Sequence, residues 1–171
     1  LSEKIASGLA SAHKMKVGHR DIKAENIHID EEEQPKILDF GLAKPVDPVQ
    51  FGGINTGTKT VSQELTRAGK ILGTVTYMSP EQVKGEPLDT RSDVFSFGVL
   101  LYRMVTGEYP FAGQTQVSTL AKILETRHEP PHVRNAAIPS ELERIIDKCL
   151  QKDAADRYQD TMGFSIVGPN R

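Results

Sequence analysis

His19-Arg20-Asp21-Ile22-Lys23-Ala24-Glu25-Asn26, followed by Asp39-Phe40-Gly41, holds the residues of this chain best suited to chemistry. An acid, a lysine and an amide fall within one short loop, and a second acid follows a little further on. Phosphoryl transfer needs such a set: a group that orients a hydroxyl, a cation for phosphate, and oxygen ligands for magnesium. Asp21 suits the first task, and a positioned general base is worth about 10²–10⁴ in rate. Asn26 and Asp39 offer hard oxygen donors, which Mg²⁺ prefers, with phosphates and water completing an octahedron. Lys23 supplies a compact positive charge. A lone Asp or Lys is usually a solvated surface charge. The spacing His-Arg-Asp-x-Lys-x-x-Asn, joined in order to Asp-Phe-Gly, outweighs that reading.

Several elements must position this loop. Ser2 to Lys16 carries Ile5, Leu9, Ala12 and Met15 near the helical period, and Gly18 is expected to end that helix. Ile27-His28-Ile29 and Lys36-Ile37-Leu38 read as two short strands around the acidic turn Asp30 to Pro35. Residues 42–72 have no sustained period and read as a long mobile loop. Ser79-Pro80-Glu81-Gln82-Val83 suits a short helix with proline in its first turn. Ser92 to Thr106 is apolar almost all round, which predicts a buried central helix stopped at Gly107-Glu108-Tyr109-Pro110. Residues 115–126 and 140–151 read as two more helices, separated by a proline-rich stretch from Glu129 to Pro139.

A chain of 171 residues with 37% hydrophobic and 26% charged content is long enough for an ordinary globular core. A net charge of −2 gives no reason to expect a nucleic-acid partner. Cys149 is the only cysteine, so an intramolecular disulfide is excluded and a reducing, cytoplasmic setting fits. Its neighbours Leu142, Ile145, Ile146 and Leu150 make it a buried helical residue. The longest apolar stretch, Val94 to Val105, contains Ser96, Gly98 and Arg103, and is too short and polar to span a bilayer. The chain opens Leu-Ser-Glu-Lys inside a helical pattern and reads as part of a longer protein, whose other parts could carry a membrane anchor.

From Leu1 to about Tyr158 the motifs resemble the C-terminal lobe of a Ser/Thr protein kinase of the bacterial type. The resemblance implies a mainly α (α+β) lobe with a small hairpin, spanning residues 1–160, with an atypical tail over 161–171 and no N-terminal lobe. It implies transfer of the ATP γ-phosphate to Ser or Thr hydroxyls of a protein substrate. Asp21, Lys23 and Thr74 would be catalytic, Thr74 bonding with Asp21 and Lys23. Lys23, Asn26, His28 and Asp39 would face ATP, and Asn26 and Asp39 would hold Mg²⁺. His28 falls where the family places an apolar residue beneath the adenine, so a stacking role and a packing role are both open. His19 and Phe40 would pack together above the central helix. Asp93 would anchor the catalytic loop, and Glu81 of Ser79-Pro80-Glu81 would pair with Arg157. Arg20 would read a phosphorylated activation loop; among Thr56, Thr58, Thr60, Ser62 and Thr66, position favours Thr66.

The sequence departs from the family at Ala24 and Ala154, where proline is usual, and at Gly18, where an apolar residue is usual. Ser79 stands where alanine is common. Met162 to Arg171 does not resemble the family's last helix. No Gly-x-Gly-x-x-Gly loop or Val-Ala-Ile-Lys strand precedes the motifs, and Gly52, Gly53 and Gly57 have the wrong spacing and position. The isolated chain is therefore expected to be inactive. Two alternatives stand beside this reading: a non-catalytic lobe used as a binding module, and a small-molecule phosphotransferase. Ser79-Pro80-Glu81, Lys23 and Asp93 weigh against the second.

Overall fold

The structure, a computed structural model, describes residues 1–38, 44–45, 75–159 and 161. It is mostly helical with small antiparallel pairings. Helix α1 spans Ser2–Lys14 and buries Ile5, Leu9 and His13. It stops earlier than Gly18. Met15 and Lys16 donate their backbone N–H groups to Ala12 and His13, and Lys16 takes a left-handed φ of 57°. Gly18 instead lies in strand β1, Val17–Gly18.

Strands β2, Ile27–Ile29, and β3, Pro35–Ile37, form a hairpin with Ile27 opposite Ile37 and Ile29 opposite Pro35. The second strand begins one residue before the expected Lys36. The Asp30 side chain sets that register by accepting from Glu32 and Gln34 N–H, while the Asp30 backbone N–H donates to Gln34. Strand β4, Lys44–Pro45, pairs with β1 and corrects the expectation of unbroken loop over 42–72.

Helix α2, Pro80–Lys84, begins with a capping box between Ser79 and Gln82. Helix α3, Thr90–Thr106, is capped by Asp89 at its start and by left-handed Gly107 at its end, and it buries an unbroken run from Ser92 to Tyr102. Helix α4 spans Gln116–Glu125 and α6 spans Ser140–Cys149. Between them the proline-rich stretch folds one short helix that the sequence reading missed, α5, Pro131–Arg134, with proline at its first position.

Helix α3 is the central element. It packs against α1, β1, α5 and α6, and its residues Val94, Phe95 and Val99 are fully buried. At Gly98 an added Cβ would lie 2.5 Å from the Cβ of Cys149, so α3 and α6 meet backbone to backbone there. Cys149 is fully buried, as expected, and burial pushes its thiol pKa up. Among the described residues no helix is long and apolar enough to cross a membrane.

Candidate active site

The loop after β1 is tied to the middle of the core by one carboxylate. Asp93, 1% exposed near the start of α3, accepts the backbone N–H of His19 at its Oδ2 and that of Arg20 at its Oδ1, both at 2.7 Å. His13 of α1 adds its Nε2 at 3.0 Å from Oδ2. A carboxylate oxygen only accepts, so this nitrogen carries the proton. A buried carboxylate is tolerable because donors surround it, and hydrogen bonds to a charged group contribute about 1.5–3 kcal/mol each. That supply offsets the strained left-handed φ of 66° at Arg20, which a non-glycine residue rarely adopts. His13 was missed by the sequence reading.

Beyond the anchor the chain runs extended, so side chains alternate. Ile22 points into the core at 1% exposure, while Asp21 and Lys23 turn out together. Lys23 Nζ lies 2.6 Å from Asp21 Oδ2, with each side chain 19% exposed. A 3₁₀ turn over Ala24–Asn26 then brings Asn26 back beneath Asp21. The Asn26 amide donates to the Asp21 carbonyl at 2.8 Å and to Asp21 Oδ2 at 3.1 Å. The Asn26 carbonyl receives Leu38 N–H at 2.8 Å, joining the site to the end of the hairpin.

His19 is fully buried and braces the loop from below. Its Nδ1 accepts Asp21 N–H at 3.3 Å, so Nε2 is the protonated nitrogen and donates to the Leu38 carbonyl at 3.0 Å. The expected partner of His19, Phe40, lies outside the described residues, as do Asp39, Thr66 and Thr74. His28 lies exposed on β2, opposite Lys36. The Nε of Arg20 is buried without a hydrogen-bond partner among the described residues.

A second buried frame supports the loop from the other side. Glu81 and Arg157 form a two-pronged pair at 2.7 and 2.9 Å, and Ser92 Oγ donates to the same carboxylate at 2.7 Å. Burial alone would raise the Glu81 pKa, yet the Arg157 guanidinium and the Ser92 hydroxyl hold it below the usual carboxylate value. The neighbouring Gln82 extends its amide to the Arg20 carbonyl at 2.9 Å, linking this frame to the loop. Gln82 and Ser92 were also missed. Each stands beside charged residues in sequence, Gln82 after Glu81 and Ser92 between Arg91 and Asp93, a setting that many surface positions share.

The Asn26 side chain, held beneath Asp21 through its amide nitrogen, keeps a hard oxygen of the kind Mg²⁺ takes from a protein when phosphates supply the rest, while Asp39, the other expected donor, lies outside the described residues. The donor chemistry therefore fits a magnesium–nucleotide. Among the described residues no group of three or more His, Cys, Asp or Glu side chains could hold a metal ion.

A helical lobe with this anchored His-Arg-Asp loop and a buried Glu–Arg frame has the features of a protein kinase, and the Protein kinase domain family model matches residues 1–163. The chain belongs to that family. It is 41% identical over 166 residues to the serine/threonine-protein kinase pkn3 of Myxococcus xanthus, covering 94% of this chain and 28% of that protein. It is 38% identical over 156 residues to a probable serine/threonine-protein kinase of Clostridium perfringens, covering 91% and 21% respectively. Over 159 residues it is 35% identical to the serine/threonine-protein kinase PrkC of Bacillus subtilis, covering 93% and 22%. The chain thus spans between about a fifth and a little over a quarter of the length of these relatives.

Proposed function

We propose that residues 1–160 form the catalytic lobe of a serine/threonine protein kinase, with 161–171 an atypical tail, and that an upstream lobe completes the nucleotide site. The observation that carries this reading is the knot of Asp21, Lys23 and Asn26 hung from Asp93. Among the described residues both side-chain donors to the Asp21 carboxylate fall on Oδ2. Oδ1 is then the oxygen for an incoming Ser or Thr hydroxyl. Asp21 would orient that hydroxyl and take its proton as the oxygen bonds to the γ-phosphorus and the bond from that phosphorus to the departing ADP breaks. Lys23 keeps the carboxylate aimed and brings positive charge to the developing phosphate charge. Asn26 fixes Asp21 through its amide nitrogen and, with Asp39, offers oxygen to Mg²⁺. When bound, ATP–Mg²⁺ supplies the phosphoryl group and the cation that neutralises it. His28 and Thr74 are assigned to this site on family resemblance: His28 towards the adenine, Thr74 towards Asp21 and Lys23.

Arg20 is the proposed receiver of a phosphorylated Thr66, and its unpartnered guanidinium nitrogen supports that role. In the full-length protein Thr66→Ala should lower peptide phosphorylation far more than Thr56→Ala; equal effects would reject Thr66. The 171-residue chain alone should bind ATP–Mg²⁺ weakly and transfer phosphate poorly, because much of the positioning belongs to the glycine-rich loop and strand lysine that its sequence lacks. Supplying an upstream lobe in one chain should restore transfer. Robust phosphorylation of a protein by the 171 residues alone, lost in Asp21→Asn, would show that the upstream lobe is not needed.

A further inference from the structure

Lys152 follows α6, and its side chain reaches the C-terminal turn of α4. Its Nζ donates to the Ile123 carbonyl at 2.7 Å and more weakly to that of Lys122 at 3.4 Å. It also lies 3.6 Å from the centre of the Phe111 ring, which stacks on Phe95 at 5.8 Å. The guanidinium of Arg157 sits on the same aromatic pair, 5.0 Å from the centre of the Phe95 ring. Lys23, Lys36 and Lys84 each meet a carboxylate, at 2.6, 3.1 and 3.7 Å. Among the described residues no carboxylate pairs with Lys152. Carbonyl dipoles and ring faces occupy its N–H groups without supplying a counter-charge.

Burial, and after it the charge of Arg157, lower the Lys152 pKa to about 8. At about pH 7.5 roughly a quarter of such a group is free amine, against about a thousandth for an ordinary lysine. The free amine keeps two N–H groups, enough for both carbonyls, and gains a lone pair. It is not sealed from solvent. Lys152 lines a cavity of about 280 Å³ with Glu125, Arg127, His128, Leu150 and Gln151. It also borders a second cavity, of about 460 Å³, beside Lys84 and Arg91. Either has room for a short acyl chain. The exposed Arg127 brings a positive charge to the smaller one, which suits the phosphate groups that activated acyl donors carry.

We propose that Lys152 is an acylation site, taking a short acyl group from an acyl thioester or an acyl phosphate, and that its modification releases the C-terminal turn of α4. The nitrogen lone pair adds to the carbonyl carbon of the donor. An N–C bond forms and the C–S or C–O bond to the carrier breaks. The carrier leaves as thiolate or phosphate and takes up the proton that the nitrogen loses. The resulting amide has one N–H and no charge. It cannot serve both carbonyls, and the cation over Phe111 is gone. A lysine that only clamps α4 would stay charged and, being half-buried, would react more slowly than the exposed lysines. The inference goes beyond the kinase reading and does not rest on it.

The test incubates the folded full-length protein with acetyl phosphate in one arm and acetyl-CoA in the other, over a pH series. Mass spectrometry of its peptides gives the acetylation rate at each lysine. Near neutral pH Lys152 should react about tenfold faster than the exposed Lys36 and Lys84, since a larger free-amine fraction is partly offset by the weaker nucleophilicity of a less basic amine. Its rate should level off just above pH 8, and its advantage should vanish in urea. Reaction with one donor alone supports the proposal and identifies the source. Reaction with neither donor faster than at Lys36 and Lys84 would overturn it. Hydrogen exchange reads the second half: amides over residues 122–126 should exchange about tenfold faster once Lys152 is acetylated. Lys152→Gln should copy that effect, whereas Lys152→Arg, which keeps the charge, should show less of it. Unchanged exchange in both the acetylated protein and Lys152→Gln would overturn the release of α4.

Discussion

The pair between Glu81 and Arg157 lends itself to a worked prediction, because the structure shows what each side leaves behind when the other is removed. Arg157 is 2% exposed and donates five hydrogen bonds: two to the Glu81 carboxylate and one each to the carbonyls of Arg91, Gln151 and Lys152. Arg157→Met removes all of them and leaves a buried carboxylate supported by Ser92 alone. Breaking a buried pair this way costs about 3–5 kcal/mol. Glu81→Gln keeps an acceptor for Ser92 and leaves the guanidinium its three carbonyls, so the loss is smaller, about 1.5–3 kcal/mol. The double variant does not return to wild-type stability, because the three carbonyls remain unserved. A coupling of about 2 kcal/mol between the two sites should still appear in the cycle. In urea unfolding of the 171-residue chain, followed by circular dichroism, a loss of 3 kcal/mol lowers the midpoint by about 1.5 M for a slope near 2 kcal/mol/M. The sign with pH also follows. The folded pKa of Glu81 is depressed, so its contribution is present above the ordinary carboxylate pKa and disappears as pH falls through the folded value. Glu81→Gln should remove that part of the acid sensitivity. Additive losses below about 1 kcal/mol at both sites would refute the reasoning, since they would mean that the pair is solvated.

Gly98→Ala should destabilise the chain by about 1–3 kcal/mol, since its Cβ would fall 2.5 Å from that of Cys149; calorimetry checks this, and an unchanged Tm would show that α3 and α6 are less close. Cys149 should not react with a thiol reagent in the folded chain and should react fully in urea, because it is buried and its thiol pKa is raised. Lys152 should titrate at about 8, lowered first by burial and then by the charge of Arg157. Its unfolded pKa is higher, so folding stability should rise with pH between about 8 and 10.5, and Lys152→Met should flatten that rise.

The parts of the fold readable from sequence were those where one physical signal dominates. Helix α3 was legible because almost every residue from Ser92 to Tyr102 must be buried, and α2 because Pro80 stands where a first helical turn accepts proline. The hairpin was found but shifted by one residue at its second strand, because Asp30 side-chain bonds set the turn and apolar alternation over three residues is too short to fix a register. Helix α5 was hidden in a proline-rich stretch that reads as a loop. In the site, the spacing around Asp21 identified the ledge, but His13 did not stand out, being a single polar residue on the inner face of α1 whose partner lies 80 residues away. Arg103 registered only as a polar break in an apolar run; nothing in sequence shows that Tyr77 and Tyr109 hold it. Asp39, Phe40, Thr66 and Thr74 rest on sequence and family resemblance, since they lie outside the described residues.

The central claim is that Asp21, hung from Asp93 and aimed by Lys23 and Asn26, orients a hydroxyl for phosphate transfer. It is tested most directly by transfer of labelled γ-phosphate from ATP–Mg²⁺ to a Ser/Thr peptide, comparing the full-length protein with its Asp21→Asn variant. Asparagine preserves the size of the side chain but cannot take a proton, so kcat should fall by about 10²–10⁴ while the urea midpoint stays close to wild type. Transfer by Asp21→Asn at the wild-type rate would contradict the account.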